Sequence, residues 1–551
     1  MSFYKITPIG PLSKSTEIIR YVALICFIFC QAPLKAEEVK NTNKSLSLYE
    51  ALSISIEKNS NVLLSRSQVN FSQGVAKQQS GAFDIIVNGQ AGVSRSVIPN
   101  DSYTAGNSVY GTGLIIPYAE TDKTYTQAGL TKQFSNGVQV SILGTQNSID
   151  SNVYAAQGDL TQNQGLLTFQ VVVPLLKNAG GAVSSGLRAA EVESLASQDD
   201  LEYTVNQMVL NSALAYWDYL GKTKLVEIST KNEKDAENSI KEYQKLIAAD
   251  QLPKSEVVLA EASLKEKKAT RLAYEQALIE ARRTLGRSLG LDAQSTMAIE
   301  TLSDQFPDDK SEKIEYVLTD LDQIIQNALE KRGDIKAAKK RIEKYEILVD
   351  AAQKNQRPQL DLALSMSQQG LAQGYSPYQG SSFSQNYGSS FGQHYGPGYG
   401  GFILFQMPIN NNAARGLTQQ QQALLRSYEI TLVELGYAVT NNIQVATQGM
   451  LNSYDRLKEA KAAVEKYQTS VNNERTKRRL GLSTLLDVLN VEDRYNNAQI
   501  ALVQSQIAYA SSIAVFRFQT NRLMERDGEN YALQVSNLLN PYLRNSSTSN
   551  K

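Results

Sequence analysis

Residues that carry chemistry are scarce in this chain of 551 residues. It has one histidine, His394, and two cysteines, Cys26 and Cys30. That leaves little room for Ser/His/Asp or Cys/His nucleophilic arrangements, or for most zinc sites. No Walker loop, no GxGxxG after a strand and no HExxH pattern occurs. No cofactor is implied, and an enzyme is not expected. Charge of one sign is also missing: 55 basic residues balance 55 acidic ones, whereas a nucleic-acid partner calls for a concentrated basic face. Beyond the N-terminus no run of about eighteen consecutive apolar residues exists, so any membrane crossing has to use strands. The acid pairs Asp199–Asp200 and Asp308–Asp309 read as solvated charges, and Gly180–Gly181 as a turn from strand to helix rather than an anion cradle.

Both cysteines lie in a segment that looks like an export signal. Lys5, Lys14 and Arg20 precede a short apolar run, Tyr21–Cys30, followed by small residues. Residues 1–36 are therefore expected to be a secretory signal peptide, with cleavage at Ala36. Phe27, Ile28 and Phe29 lack the small residue that lipidation of Cys30 prefers, so lipidation is the lesser alternative. A chain cut at this point holds no cysteine, and disulfides play no part.

What the chain does have is repetition. Leu482–Leu489 lies over Gln251–Val258 at an offset of 231 residues; without a gap, Ala215 then falls on Ala446, Asp250 on Gly481, Glu256 on Asp487 and Glu261 on Glu492. Upstream, Phe169–Leu175 resembles Phe405–Ile409, and Glu57–Val62 resembles Glu330–Ile335. Each half reads in the order helix, strands, proline, long helix, tip, long helix. The expected divisions are a first repeat over 37–290 (strands 84–173, helical hairpin 187–290) and a linker over 291–320. A second repeat follows over 321–525 (strands 359–408, hairpin 417–525), then a polar tail over 526–551.

The long helices carry a seven-residue repeat: Val488, Tyr495, Leu502, Tyr509, Phe516 and Leu523, with the smaller Val491, Ala498, Ser505 and Ser512 between them. Val257, Leu264, Leu278 and Leu285 hold the same register in the first half. Such a repeat keeps one face against a neighbour and implies left-handed supercoiling. Leu187 to Asp250 has no proline and one glycine, Gly221; a helix of that length is roughly 90 Å long at about 1.5 Å per residue. Leu417 to Leu480 also lacks proline and holds two glycines, Gly436 and Gly449.

The strand segments alternate with period two. Ile85, Val87, Ala91 and Val93 oppose Asn88, Gln90 and Ser94; Val138, Val140 and Ile142 oppose Gln139 and Ser141; Leu360, Leu362, Leu364 and Met366 oppose Asp361, Ser365 and Ser367. One apolar and one polar face fit either a half-buried soluble sandwich or a membrane barrel with lipid outside and water inside. Long helices in the same chain favour the barrel. The tracts Asn100–Thr124 and Gly370–Gly400, rich in Gly, Ser, Tyr and Gln, read as exterior loops. His394 is then a solvated loop residue, and Tyr375, Tyr378, Tyr387, Tyr395 and Tyr399 include candidates for an aromatic rim.

At this point a family pattern emerges. Arg479–Leu489, with its apolar-Gly-apolar step and Leu-Asp-Val-Leu run, resembles the helical tip of the TolC-like outer-membrane efflux proteins. Leu46–Leu52, Gln170–Pro174 and Ala213–Tyr216 add to the likeness, which spans about Ser45 to Leu523. The resemblance implies a fold that is mainly α with membrane β: two structural repeats, a trimeric β-barrel and an α-helical periplasmic tunnel. It implies an exit duct of a tripartite efflux or type I secretion system in the outer membrane of a Gram-negative bacterium. The implied partners are two further copies in a homotrimer, outer-membrane lipid, a periplasmic adaptor protein and an inner-membrane proton-driven or ABC pump. By position, Asp487 matches an acidic ring at the periplasmic aperture. Asn490, one turn on, stands where a second acid often occurs. Leu480, Gly481, Leu482 and Ser483 match the adaptor-docking tip; the first tip, Ala248–Pro253, lacks the glycine. The family contributes four strands per subunit. The extra alternating segments Tyr125–Phe134 and Val138–Gln146 are expected to lengthen strands and loops rather than add to their number. A periplasmic adaptor or other structural coiled-coil protein is the alternative.

Overall fold

The computed structural model describes residues 45–99, 118–156, 161–248, 254–307, 320–373, 394–527, 530–533 and 538. The expected signal peptide, the first tip (249–253), Asp308–Asp309, most of the tail, and Tyr375, Tyr378 and Tyr387 lie outside them.

The chain opens with α1 (Leu48–Lys58) and α2 (Ser60–Ser80). Ser47 starts α1 through a capping box: its hydroxyl accepts from the Glu50 N–H, and the Glu50 carboxylate accepts from the Ser47 N–H. Strands β1 (Ile85–Pro99), β2 (Tyr118–Gln133), β3 (Gln139–Ser151) and β4 (Thr161–Pro174) follow, with a short α3 (Asn152–Ala156) before β4. Then come α4 (Ser185–Ala248), α5 (Lys254–Leu289) and a single turn, α6 (Ala293–Met297). The second half has α7 (Leu321–Lys331), α8 (Gly333–Lys354), β5 (Gln359–Gln373), β6 (His394–Gln406), α9 (Asn412–Arg479) and α10 (Leu485–Gln519). A small ribbon, β7 (Met524–Asp527) and β8 (Asn530–Leu533), comes last.

The proline-free stretches form single helices of 64 and 68 residues. α4 packs along α5, α9 along α10, and α10 against α4. Away from these pairs, α2, α4, α8 and α9 lie side by side in that order. The heptad positions point inward. Val488, Tyr509, Phe516 and Leu523 are buried, and the small Ala498 and Ser505 are buried with them, which lets α10 approach closely. Where α1, α4, α5 and α10 meet, Trp217 is fully buried, edge-on to Tyr216 and 5.8 Å from Phe306.

The acids Asp199 and Asp200 are not free solvated charges: both are ion-paired, and Asp199 is withdrawn from solvent. Asp199 is buried and pairs with Lys340 at 2.6 Å, while Asp200 pairs with Arg341 at 2.5 Å. Glu193 binds Arg341 and Lys344. Two turns of α4 thus place three carboxylates opposite three cations of α8. Gly333 brings the two backbones together there, since a Cβ at Gly333 would meet the Asp199 carbonyl.

The strands form one antiparallel sheet in sequence order, β1-β2-β3-β4-β5-β6. Six strands replace the expected four. Tyr125–Phe134 and Val138–Gln146 do not lengthen existing strands; they pair with each other as β2 and β3. The reason is local. Ser135, Asn136 and Gly137 make a tight turn: the Gly137 N–H donates to the Phe134 carbonyl and Gly137 has φ +94°, a conformation that suits glycine. An ideal Cβ there would stand 2.5 Å from the Asn178 carbonyl oxygen, so the turn lies against the β4-to-α4 connection, at the helical end of the sheet. Two tracts read as loop are also partly strand. β2 begins at Tyr118, and β6 runs through Gly398, Gly400 and Gly401, whose backbone pairs with β5 while side chains of Ser367, Ser365 and Leu364 occupy the space a Cβ would need.

Trp217 reports on this architecture. Trp217→Ala removes a fully buried ring from the junction, and a loss of about 3–5 kcal/mol is expected, seen as a lowered melting temperature by circular dichroism. A change below about 1 kcal/mol would show that the junction is not a stability centre.

Candidate functional site

Two regions bear on function: the sheet, and the tip where α9 passes into α10.

The register makes the sheet two-faced. Val87, Leu130, Ile142, Phe169, Met366 and Tyr399 are cross-strand neighbours, one from each strand. All six are exposed, between 43% and 76%. A continuous apolar row open to the surroundings, on a six-stranded sheet, marks contact with an apolar phase or a partner. The next row towards the helices is Ile85, Lys132, Val140, Val171, Leu364 and Gly401, apolar except for Lys132, whose ammonium donates to the Phe83 carbonyl. On the opposite face the neighbours are Ile86, Thr131, Ser141, Gln170, Ser365 and Gly400, then Asn88, Gly129, Leu143, Thr168, Ser367 and Gly398. Apart from Ile86 and Leu143, this face presents amides, hydroxyls and glycine. Farther from the helices the apolar band stops: Gln146 and Asn163 continue the apolar face, and Arg95 meets Glu120 and Asp122 on it. Tyr399 stands at the edge of the band on β6; of the other tyrosines proposed for a rim, none has a described side chain. Among the described residues no helix is long and apolar enough to cross a membrane, and no cluster of metal-ligating side chains occurs.

The tip gathers all six sequence-derived candidates. α9 ends at Leu480 with Gly481 in the left-handed region at φ +73°. The Leu482 N–H donates to the Lys477 carbonyl and the Gly481 N–H to the Arg478 carbonyl, the two bonds of a Schellman turn. A Cβ on Gly481 would meet nothing, so the glycine answers a demand of the backbone, not of space. The turn leaves Leu480 and Leu482 exposed, with Leu486 beside them. Ser483 donates to the Glu474 carboxylate at 2.6 Å.

α10 begins with a second capping box. The Thr484 hydroxyl accepts from the Asp487 N–H, and Asp487 Oδ2 accepts from the Thr484 N–H and from its hydroxyl. These bonds, the Thr484 hydroxyl first, hold the Asp487 carboxyl below the usual carboxylate range. Asp487 and Asn490 project from the same exposed side of α10, while Leu485, Val488 and Leu489 are buried. Thr484 is a site residue not among the sequence candidates. The Thr-x-x-Asp spacing before an apolar run is the signal that marks it. Lys477, Arg478 and Arg479 at the end of α9 are a second omission; Lys477 pairs with Glu474, and Arg475 with Glu492.

Residues 324–515 match the family described as outer membrane efflux protein. Among solved structures, the chain is similar to the outer membrane protein VceC from the bacterial pathogen Vibrio cholerae, with a TM-score of 0.59 and 16% identity over 86% of this chain and 95% of that one. It is similar to the CmeC outer membrane channel of Campylobacter jejuni, with a TM-score of 0.58 and 12% identity over 95% and 94%. For the open state of the MtrE outer membrane channel of Neisseria gonorrhoeae the values are 0.56 and 14%, over 89% and 94%. No curated protein matches the sequence. The fold is that of these TolC-like channels.

The tip generates a test. Thr484→Ala removes the cap, at a cost of about 1 kcal/mol to the start of α10, read as faster hydrogen exchange at the amides of residues 486–489. Because the Asp487 pKa is lowered in the fold, its contribution is complete above the ordinary carboxylate range and fades as pH falls through the depressed value. In Thr484→Ala the Asp487 titration moves up towards the ordinary range; an unmoved titration would show that Thr484 is not the cause.

Proposed function

We propose that this chain, whose residues 324–515 match the outer membrane efflux protein family, resides in the outer membrane and is the exit duct of a tripartite export system. In this reading three copies form one channel. The sheets close a barrel with the Val87–Tyr399 row towards lipid and the Asn88–Ser367 row towards water. The long helices continue the duct into the periplasm. The duct is passive; a periplasmic adaptor connects it to a proton-driven or ABC pump in the inner membrane, which supplies the energy and selects the cargo.

The observation that carries this reading is the register of the sheet. One row of exposed apolar side chains crosses all six strands, and its polar counterpart lies directly behind it. Exposure of the whole row to water would be costly, at about 25 cal/mol per Å² of apolar surface, and a bilayer removes that cost.

The tip takes two roles. Asp487 lines the periplasmic aperture, where three copies bring three carboxylates to one constriction; Asn490 leaves the next turn uncharged. Leu480, Leu482 and the turn at Gly481 form the face on which the adaptor docks, with Ser483 tying the turn to Glu474.

Fractionation tests the core of the proposal. The expected result is a heat-modifiable trimer in the outer-membrane fraction, whereas a soluble periplasmic monomer would favour an adaptor or other coiled-coil protein and overturn it. Asp487→Asn keeps an oxygen for the Thr484 N–H and deletes the charge. In planar bilayers it is expected to shift the reversal potential under a salt gradient towards less cation preference, and an unchanged potential would remove Asp487 from the aperture. Leu482→Asp leaves the backbone turn intact and is expected to abolish export with trimers at normal level; normal export would remove this turn from the docking face.

A further inference from the structure

The sheet has two more strands than the four per subunit that the resemblance implies, and the geometry assigns the extra pair a place. α2 leads into β1, β4 leads into α4, α8 leads into β5 and β6 leads into α9. Four strands therefore continue the four helices of the layer α2-α4-α8-α9. β2 and β3 continue no helix of that layer. They are inserted between β1 and β4, and their turn at Gly137 rests on the β4-to-α4 connection. β2 is fully paired to β1, β3 to β4, and β2 to β3. Leu130 and Ile142 fill the apolar row between Val87 and Phe169, and Thr131 and Ser141 fill the polar row behind it. The pair thus has the alternation and register of the strands on either side.

We propose that β2 and β3 are wall strands and that three copies of this chain close an eighteen-stranded barrel, the edge of β1 in one copy pairing with β6 of the next. The proposal rests on the trimeric duct described above and specifies its wall. Three observations carry it. First, both sheet edges are uncovered: every residue of β1 except Gly92 is exposed, and on β6 so are Tyr399, Ile403 and Phe405. A backbone edge cannot stand unpaired in hydrocarbon. Because the subunit has an even number of strands in up-and-down order, β1 and the β6 of a neighbour run antiparallel, like every other pair in the sheet.

Second, the open edge continues into the helices. α2, at the β1 side, exposes Leu64 and Phe71; α9, at the β6 side, exposes Ile430, Val433 and Tyr437. The same two sides of the subunit are unfinished from the sheet down into the helical layer, which suits a second copy of the chain as occupant.

Third, the arcs match. Six strands about 4.8 Å apart, tilted about 40°, span an arc of roughly 38 Å; four strands span roughly 25 Å on the same assumptions. Four helices packed at about 8–10 Å span roughly 32–40 Å. Six strands therefore sit on four helices without a step in circumference. The closed wall is about 36 Å across with eighteen strands and about 24 Å with twelve.

Electron cryo-microscopy of the detergent-extracted full-length trimer decides between them. Eighteen strands and a wall about one and a half times as wide as a twelve-stranded one are the expected result. A trimer with twelve wall strands and the 118–151 segment outside the wall would overturn this inference and leave the duct standing. Absence of a membrane trimer would overturn both. Single cysteines give an independent reading in proteoliposomes. With a water-soluble maleimide, Gln127→Cys and Thr145→Cys on the polar face are expected to label at least tenfold faster than Leu130→Cys and Ile142→Cys. Equal rates at all four positions would take β2 and β3 out of the wall.

Discussion

The subunit is organised around a single constraint: a backbone hydrogen-bonding group has to be paired wherever water is absent. Inside the sheet that demand is met strand by strand, from β1 to β6, without a crossover. At β1 and β6 it is not met within one chain. A bilayer offers no donor or acceptor to an open edge, so in the proposed duct the edges call for further copies of the chain. Helices α2 and α9, which lie beneath those edges, share the incompleteness through Leu64, Phe71, Val433 and Tyr437. Residues that look misplaced in one copy are those that association would cover.

The helices face the opposite requirement, since their backbones are satisfied internally and their side chains decide the packing. α4 is the central element. It carries Trp217 and Tyr216 into the apolar junction and sets Glu193, Asp199 and Asp200 against the cations of α8. Arg332 works similarly at the start of α8. It is buried, paired with Asp334, bonded to the Gln519 carbonyl and held 5.5 Å from both the Tyr203 and Phe518 rings. Buried charge of this kind contributes little net stability, because desolvation offsets the attraction. Sliding of α4 along α8 would separate these pairs and leave the buried Asp199 without Lys340. Apolar contacts along a long helix tolerate slips of a heptad; a cluster of matched ions does not.

Periodicity was the legible part of the sequence. Proline-free length identified the two longest helices, and the seven-residue spacing identified which side of α10 is buried. Two-residue alternation identified β1, β3 and β5. Strand number was not legible from alternation, which does not show whether Tyr125–Phe134 and Val138–Gln146 lengthen strands or add to them; the turn at Asn136–Gly137 decides it. β6 was partly lost in a glycine-rich tract: with little side chain to pattern, Gly398, Gly400 and Gly401 show no alternation, and their place is determined by pairing with β5. Asp199 and Asp200 were misread because their partners lie about 140 positions away in the chain, beyond any local pattern. At the tip all six candidates fell together, but Thr484 was missed although its spacing to Asp487 was visible.

That omission matters for how charge operates at the tip. The hydrogen bonds that begin α10 are the same ones that hold the Asp487 carboxyl below the usual carboxylate range, so the start of the helix and the orientation of that carboxylate are set together. The carboxylate does not stand alone. Each subunit also brings Arg475, Lys477, Arg478 and Arg479 to the end of α9, against Glu474 and Glu492. In the proposed trimer each tip would carry these four cations against three carboxylates, Glu474, Glu492 and Asp487. Beyond the Debye length, about 8 Å at physiological salt, an approaching ion would then meet no net negative field from the tip. Within that distance the nearest side chain dominates. A selective role for Asp487 thus depends on geometry before charge: it acts as a filter only if the helices bring three tips close enough for a passing ion to come within a few ångströms of a carboxylate. The Schellman turn at Gly481 and the cap at Thr484 set where on each tip that carboxylate points.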